Sequence, residues 1–97
     1  MTAELTVVHD PENNRYVLLR DGVELGQSVY DRPEPGLIEF LHTEVDTTVR
    51  EHGLGSVLAA GALDDVRANS TDRVIALCPF ISGYIRKHPE YDDLRHR

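Results

Sequence analysis

Arg50-Glu51-His52-Gly53-Leu54-Gly55 is an R-x-x-G-x-G run set between an apolar, strand-like segment, Leu37–Val45, and a helix-like one, Ser56–Asn69. Two glycines let a backbone turn tightly and come close to a ligand. The helix that follows offers unpaired N–H groups and the positive end of its dipole. A phosphate or pyrophosphate suits that combination.

Two well-known phosphate loops fail on the letters. A Walker loop needs a lysine directly after its last glycine, and Ser56 stands there. A dinucleotide fingerprint needs a small residue three places after its second glycine, and that position is Leu58. The strands before the run also precede any helix, unlike the start of a dinucleotide fold.

Leu5–His9 reads as a short β-branched strand ending at the turn formers Asp10-Pro11-Glu12-Asn13-Asn14. Arg15–Arg20 is a second strand. Asp21-Gly22 predicts a type I′ hairpin into Val23–Tyr30, with Gly26 at a bulge. Pro33-Glu34-Pro35-Gly36 breaks the pattern before Leu37–Val45, so the first half is an antiparallel meander. After the glycines, Leu54, Val57, Leu58, Gly61, Ala62 and Val66 recur near helical spacing. Arg73–Leu77 is a short apolar strand, which implies a right-handed crossover between parallel strands. Cys78-Pro79 closes it. Phe80–Lys87 is a second helix stopped by His88-Pro89, and two readings of 88–97 stand: His88-Pro89-Glu90-Tyr91 packs the tail back, or the polar residues that follow leave it loosely packed. The predicted class is α+β: a meander, a βαβ crossover and a C-terminal helix.

Ninety-seven residues suit one domain spanning 1–97. A net charge of −7 argues against a nucleic-acid binder and fits a cationic partner, although acidic surfaces also serve plain solubility. The single cysteine, Cys78, excludes an internal disulfide framework. His42, His52, Cys78 and His88 have no metal-ligand spacing, so no metal is expected. The opening Met1-Thr2-Ala3-Glu4-Leu5 lacks the marks of a signal peptide, and no apolar run is long enough to span a membrane. A cytoplasmic protein is the expectation.

The strand, R-x-x-G-x-G and helix together resemble the acetyl-CoA-dependent N-acyltransferase superfamily called GNAT. Its usual signature is [QR]-x-x-G-x-[GA] after a strand, and Val45-Asp46 precedes Arg50 at that superfamily's spacing. His42-Thr43-Glu44-Val45, the glycine run, Cys78-Pro79-Phe80, Tyr84-Ile85 and His88-Pro89-Glu90-Tyr91, in that order, resemble its small YjdJ-type branch. The resemblance covers essentially the whole chain. It implies a minimal GNAT fold lacking the usual helices after the first strand, since only Asp10–Asn14 separates the first two strands.

That resemblance also implies a ligand, acetyl-CoA or coenzyme A, and a site for it. Pantetheine would lie between the strands ending at Val45 and Leu77, pairing with backbone near Val45 and Thr47. The pyrophosphate would rest on N–H groups of His52, Gly53, Leu54, Gly55 and Ser56, with Arg50 and Glu51 opening the loop. Transfer to an amine needs a base for the amine and an acid for the departing thiolate. Tyr84 is either that acid or a packing aromatic. Glu39 and Glu44 are candidate bases, on opposite strand faces unless a bulge intervenes. His42 shares the face of Glu44 and is a third. Cys78 is either an acyl-accepting nucleophile or a buried thiol beside the cofactor. The implied acceptor is an amine, whether a protein lysine, an N-terminus or a small amine such as a polyamine, with a cationic protein or peptide as the fitting partner. No nucleic acid or membrane partner is expected, and a monomer and a weak dimer both remain open. The alternative is a CoA or acyl-CoA binding module with little turnover.

Overall fold

Turn chemistry sets the first half of the chain. In the computed structural model, which describes residues 4–49 and 52–97, Asp21 and Gly22 both take positive φ, 52° and 76°, as a type I′ hairpin requires. They join β2 (Arg15–Arg20) to β3 (Val23–Asp31). β1 (Thr6–Asp10) reaches β2 through a single 3₁₀ turn, Pro11–Asn13, and β4 (Leu37–Val45) completes the meander. The chain then enters α1 (Leu54–Asn69), β5 (Arg73–Ala76), α2 (Pro79–Lys87) and a 3₁₀ helix, Pro89–His96. One sheet results, ordered β1-β2-β3-β4-β5. Its first three pairings are antiparallel and β4–β5 is parallel. The α+β architecture read from the sequence is therefore the one observed.

Two bulges shape the sheet. Leu18 faces Gly26 but Leu19 faces Glu24, so Leu25 is an extra residue on β3 beside the expected Gly26. Val29 faces His42 but Tyr30 faces Phe40, so Leu41 is an extra residue on β4. An extra residue reverses the in-out alternation that follows it.

The helices cover one face. Leu54, Leu58, Ala59, Ala62, Leu63 and Val66 of α1 are buried, in one cluster with Tyr16, Leu18, Tyr30, Ile38, Phe40 and Val74 of the sheet. Ile81 and Ile85 of α2 complete that core. Each large apolar side chain so buried contributes about 1.5–3 kcal/mol.

The C-terminal residues take the packed one of the two readings. They are not a loose tail. Tyr91 and Leu94 are buried in the core, and Tyr91 donates to Asp64 on α1 at 2.7 Å. Arg67 grips both oxygens of Asp93 at 2.8 Å and donates to the Glu90 carbonyl. Arg97 donates to the carbonyls of Ser70 and Asp72 just beyond the end of α1. Polar composition here signals pairing to α1 rather than solvation.

Candidate cofactor cleft

A gap opens where β4 and β5 part. Their pairing runs only from Leu37↔Arg73 to Phe40↔Ala76, with one further bond from the Cys78 N–H to the Phe40 carbonyl at 2.9 Å. Beyond that point β4 carries on to Val45, paired only with β3, while Cys78 turns into α2. The Leu41 bulge sits at this fork. Strand backbone from Leu41 to Val45 therefore faces the gap without a β5 partner, an arrangement that an extended ligand can join by strand addition.

The glycine loop borders the same end. Gly53 is the N-cap of α1 at φ 88°, a conformation costly for any residue bearing a Cβ. Helical structure begins at Leu54, two residues before the predicted start, because the turn is finished at Gly53. The N–H of Val57 already bonds to the Gly53 carbonyl at 3.0 Å, so Leu54, Gly55 and Ser56 are the first-turn donors. Leu54 is buried and can offer only its backbone. Gly55 has a steric reason of its own, since a Cβ there would lie 2.4 Å from Cζ of Phe80. His52 is exposed beside these donors. Arg50 and Glu51 lie outside the described residues.

The bulge answers the question left open about the two glutamates. Across the sheet Glu39 faces Asp31, His42 faces Val29 and Glu44 faces Gln27, which puts all three on the face away from the helices. Glu39 lies in the paired stretch beside Ile75, before the fork. His42 and Glu44 lie past it, both exposed, with Nε2 of His42 3.4 Å from Glu44. Gln27 donates to Glu44 at 2.7 Å. That bond, and then His42, hold the Glu44 carboxyl below its ordinary value. Of the three, His42 and Glu44 form a pair at the fork and Glu39 does not join them.

Thr43 and Val45 point to the helix side. Thr43 Oγ1 is 2.9 Å from the hydroxyl of the fully buried Ser28. Cys78, buried at the N-cap of α2, works against burial, which alone would raise its thiol. The Thr43 hydroxyl and the Ile81 and Phe80 N–H groups outweigh that penalty and hold it below the ordinary thiol value. Thr43 and Ser28 escaped the sequence reading because only the bulge turns Thr43 inward. Tyr84 lies further along α2, stacked on His88 with ring centroids 4.2 Å apart. Burial raises its phenol, and a hydrogen bond with Tyr91 opposes that rise. The structure thus gathers Thr43, Cys78, His42 and Glu44 around the fork and leaves Tyr84 among the aromatics of α2 and the C-terminal 3₁₀ helix. Thr47 is exposed past the end of β4, next to an Asp46–Thr48 turn closed at 2.9 Å.

A cavity of about 720 Å³ lies elsewhere, lined by His9, Tyr16, Arg32, Asp65 and Asp72. Its polar groups are engaged with one another. Tyr30 Oη is 2.6 Å from His9 Nε2, Tyr16 donates to Asp65 at 2.6 Å, and Arg32 is 3.3 Å from Asp72. Such a set ties β1, β2 and β3 to α1 and reads as fold support. Among the described residues no His, Cys, Asp or Glu cluster is placed to hold a metal ion. No helix among them is long and apolar enough to cross a membrane.

Comparison with known proteins follows the same line. The sequence profile of the family described as GCN5-related N-acetyl-transferase matches residues 15–94. No curated protein sequence matches the chain. The NMR solution structure of a GCN5-like candidate N-acetyltransferase from Staphylococcus aureus is similar at a TM-score of 0.68 and 22% identity. The similarity covers 93% of this chain and 86% of that one. At that identity it speaks for the fold.

Proposed function

The chain belongs to the GCN5-related N-acetyltransferase family, and we propose that it binds acetyl-CoA and transfers the acetyl group to an amine. The observation carrying this reading is the fork itself. Unpaired β4 backbone, the first-turn donors of α1 and the Cys78–Thr43 pair surround one gap. Acetyl-CoA would enter from the helix side, its pyrophosphate on the N–H groups of Leu54, Gly55 and Ser56. Its pantetheine would run along Val45 with the thioester at the fork.

The amine would arrive from the open face, where His42 and Glu44 stand. Its nitrogen attacks the thioester carbonyl, the C–S bond breaks, and CoA leaves as the thiolate. The amine proton passes to a ring nitrogen of His42, with Glu44, 3.4 Å from Nε2, orienting the ring. Glu44 as sole base is less favoured, because a carboxyl held low accepts protons poorly. Cys78 stands nearer the fork than Tyr84 and is better placed to share a proton with the departing sulfur. Acyl transfer onto Cys78 itself is the covalent variant of the same scheme.

The acceptor class fits the net charge of −7, which favours a cationic amine such as a lysine side chain or polyamine. The motif set supports placement in the small YjdJ-type branch, and an unpaired cysteine suits a reducing, cytoplasmic setting. A CoA-binding module is the second reading, favoured by the absence of wall-forming helices between β1 and β2.

Thiol release from acetyl-CoA across a panel of amines separates the two. Acceptor-dependent release that falls about 100-fold in His42→Ala, the lower range for loss of a general base, supports transfer. Tight CoA binding with no release on any amine selects the module.

A further inference from the structure

The groove between α1 and α2 holds three features that acetyl transfer does not use. Phe80, Gly83, Tyr84 and Lys87 follow the i, i+3, i+4, i+7 spacing of one helix face. Together with Ser56, at the first turn of α1, they line a cavity of about 290 Å³. It begins where the glycine loop ends.

Gly83 is the first feature. Glycine is a poor choice inside a helix, and here nothing demands it. Its φ is not positive, and a Cβ would meet nothing within 4 Å. The bare backbone keeps the groove floor open. Phe80 is the second: its ring lies against Gly55 yet remains 42% exposed, an aromatic surface without a protein cover. Lys87 is the third. It is the sole lysine of the chain, is exposed, and enters no ion pair among the described residues, although its neighbour His88 lies 3.9 Å from Glu90. Lys87 stands about 10 Å along α2 from Phe80, seven residues at the helical rise. An open floor, an aromatic wall and a distal cation make a place for a base followed by a phosphate.

We propose that this groove holds the adenosine 3′-phosphate end of CoA, with the base over Gly83 against Phe80 and the 3′-phosphate on Lys87. The proposal rests on the acetyl-CoA reading above and adds the residue that discriminates CoA from its 3′-dephospho form. In a chain of net charge −7, an unpaired lysine beside the groove offsets the repulsion a further phosphate would meet.

Calorimetric titration of CoA and 3′-dephospho-CoA into the full chain, Lys87→Met and Gly83→Leu tests it. The wild-type chain should bind CoA at least tenfold tighter than 3′-dephospho-CoA. Lys87→Met should lose that tenfold on CoA and stay within twofold on 3′-dephospho-CoA. Gly83→Leu should weaken both by filling the floor. Equal affinity of the wild-type chain for the two ligands, or equal losses in Lys87→Met, would overturn the subsite while leaving CoA binding intact. Failure of CoA to bind at all would refute the acetyl-CoA reading and the subsite with it.

Discussion

Leu94 sits in a stretch whose sequence, Glu90-Tyr91-Asp92-Asp93-Leu94-Arg95, carries every mark of a solvated end, yet its side chain is 0% exposed. Leu94→Ala removes a buried isobutyl group and leaves a cavity between the sheet and the C-terminal 3₁₀ helix. Comparable deletions cost about 2.7–5 kcal/mol. The segment is anchored independently by Tyr91 on Asp64 and Arg67 on Asp93, so relaxation into the void is limited and a loss of about 3 kcal/mol is expected. For a domain near 100 residues this lowers Tm by about 12–24 °C, at 4–8 °C per kcal/mol. Urea unfolding followed by circular dichroism should show a lower midpoint at unchanged slope. Arg95→Ala is the control, since Arg95 reaches only the half-buried Asp92 three residues before it and should change stability by less than about 0.5 kcal/mol. If Leu94→Ala lies within that same margin, the tail does not pack and its docking is wrong.

Three further outcomes follow from the same geometry. Burial and then the hydrogen bond to Asp65 raise the Tyr16 phenol far above its ordinary value of 10.0. Because the folded-state value is the higher one, this contribution is complete below about pH 10 and is lost as pH rises above it, at up to about 1.4 kcal/mol per pH unit. Absorbance at 295 nm should then show Tyr16 ionising only with alkaline unfolding; a Tyr16→Phe variant that leaves the folded-state titration one tyrosine short at pH 10 contradicts this. Thiolate absorbance at 240 nm should place Cys78 below its ordinary 9.0, and Thr43→Val should raise it. No upward movement in that variant would remove Thr43 as the stabilising group. Gly55→Ala should push the exposed Phe80 ring aside at a stability cost of about 1 kcal/mol while weakening CoA at least tenfold, and Gly55→Ala with Phe80→Ala should recover stability. A fully stable single variant with undiminished CoA binding counts against both the contact and the loop.

Much of this was legible in the order of residues. Asp21-Gly22 names its turn because type I′ geometry needs two positive φ angles, and both are present. Arg15–Arg20 and Leu37–Val45 were bounded to the residue by Asn, Gly and Pro neighbours. The sequence did not disclose which glutamate shares a face with which. Glu39 and Glu44 differ by an odd number of positions, and the Leu41 bulge that reconciles them depends on where β3 meets β4. The pairing of Tyr91 with Asp64 was hidden for a similar reason, since the partners stand 27 residues apart.

The chain on its own determined its turns, its run of strands and helices, its glycine loop and the family it resembles, because these are written in contacts spanning four residues or fewer. Tertiary structure alone decided that Thr43 turns inward to Cys78, that His42 and Glu44 stand together on the open face, and that the tail is core. Register between strands and docking between distant helices are settled by the whole set of competing pairings at once, and no local pattern records which of them wins.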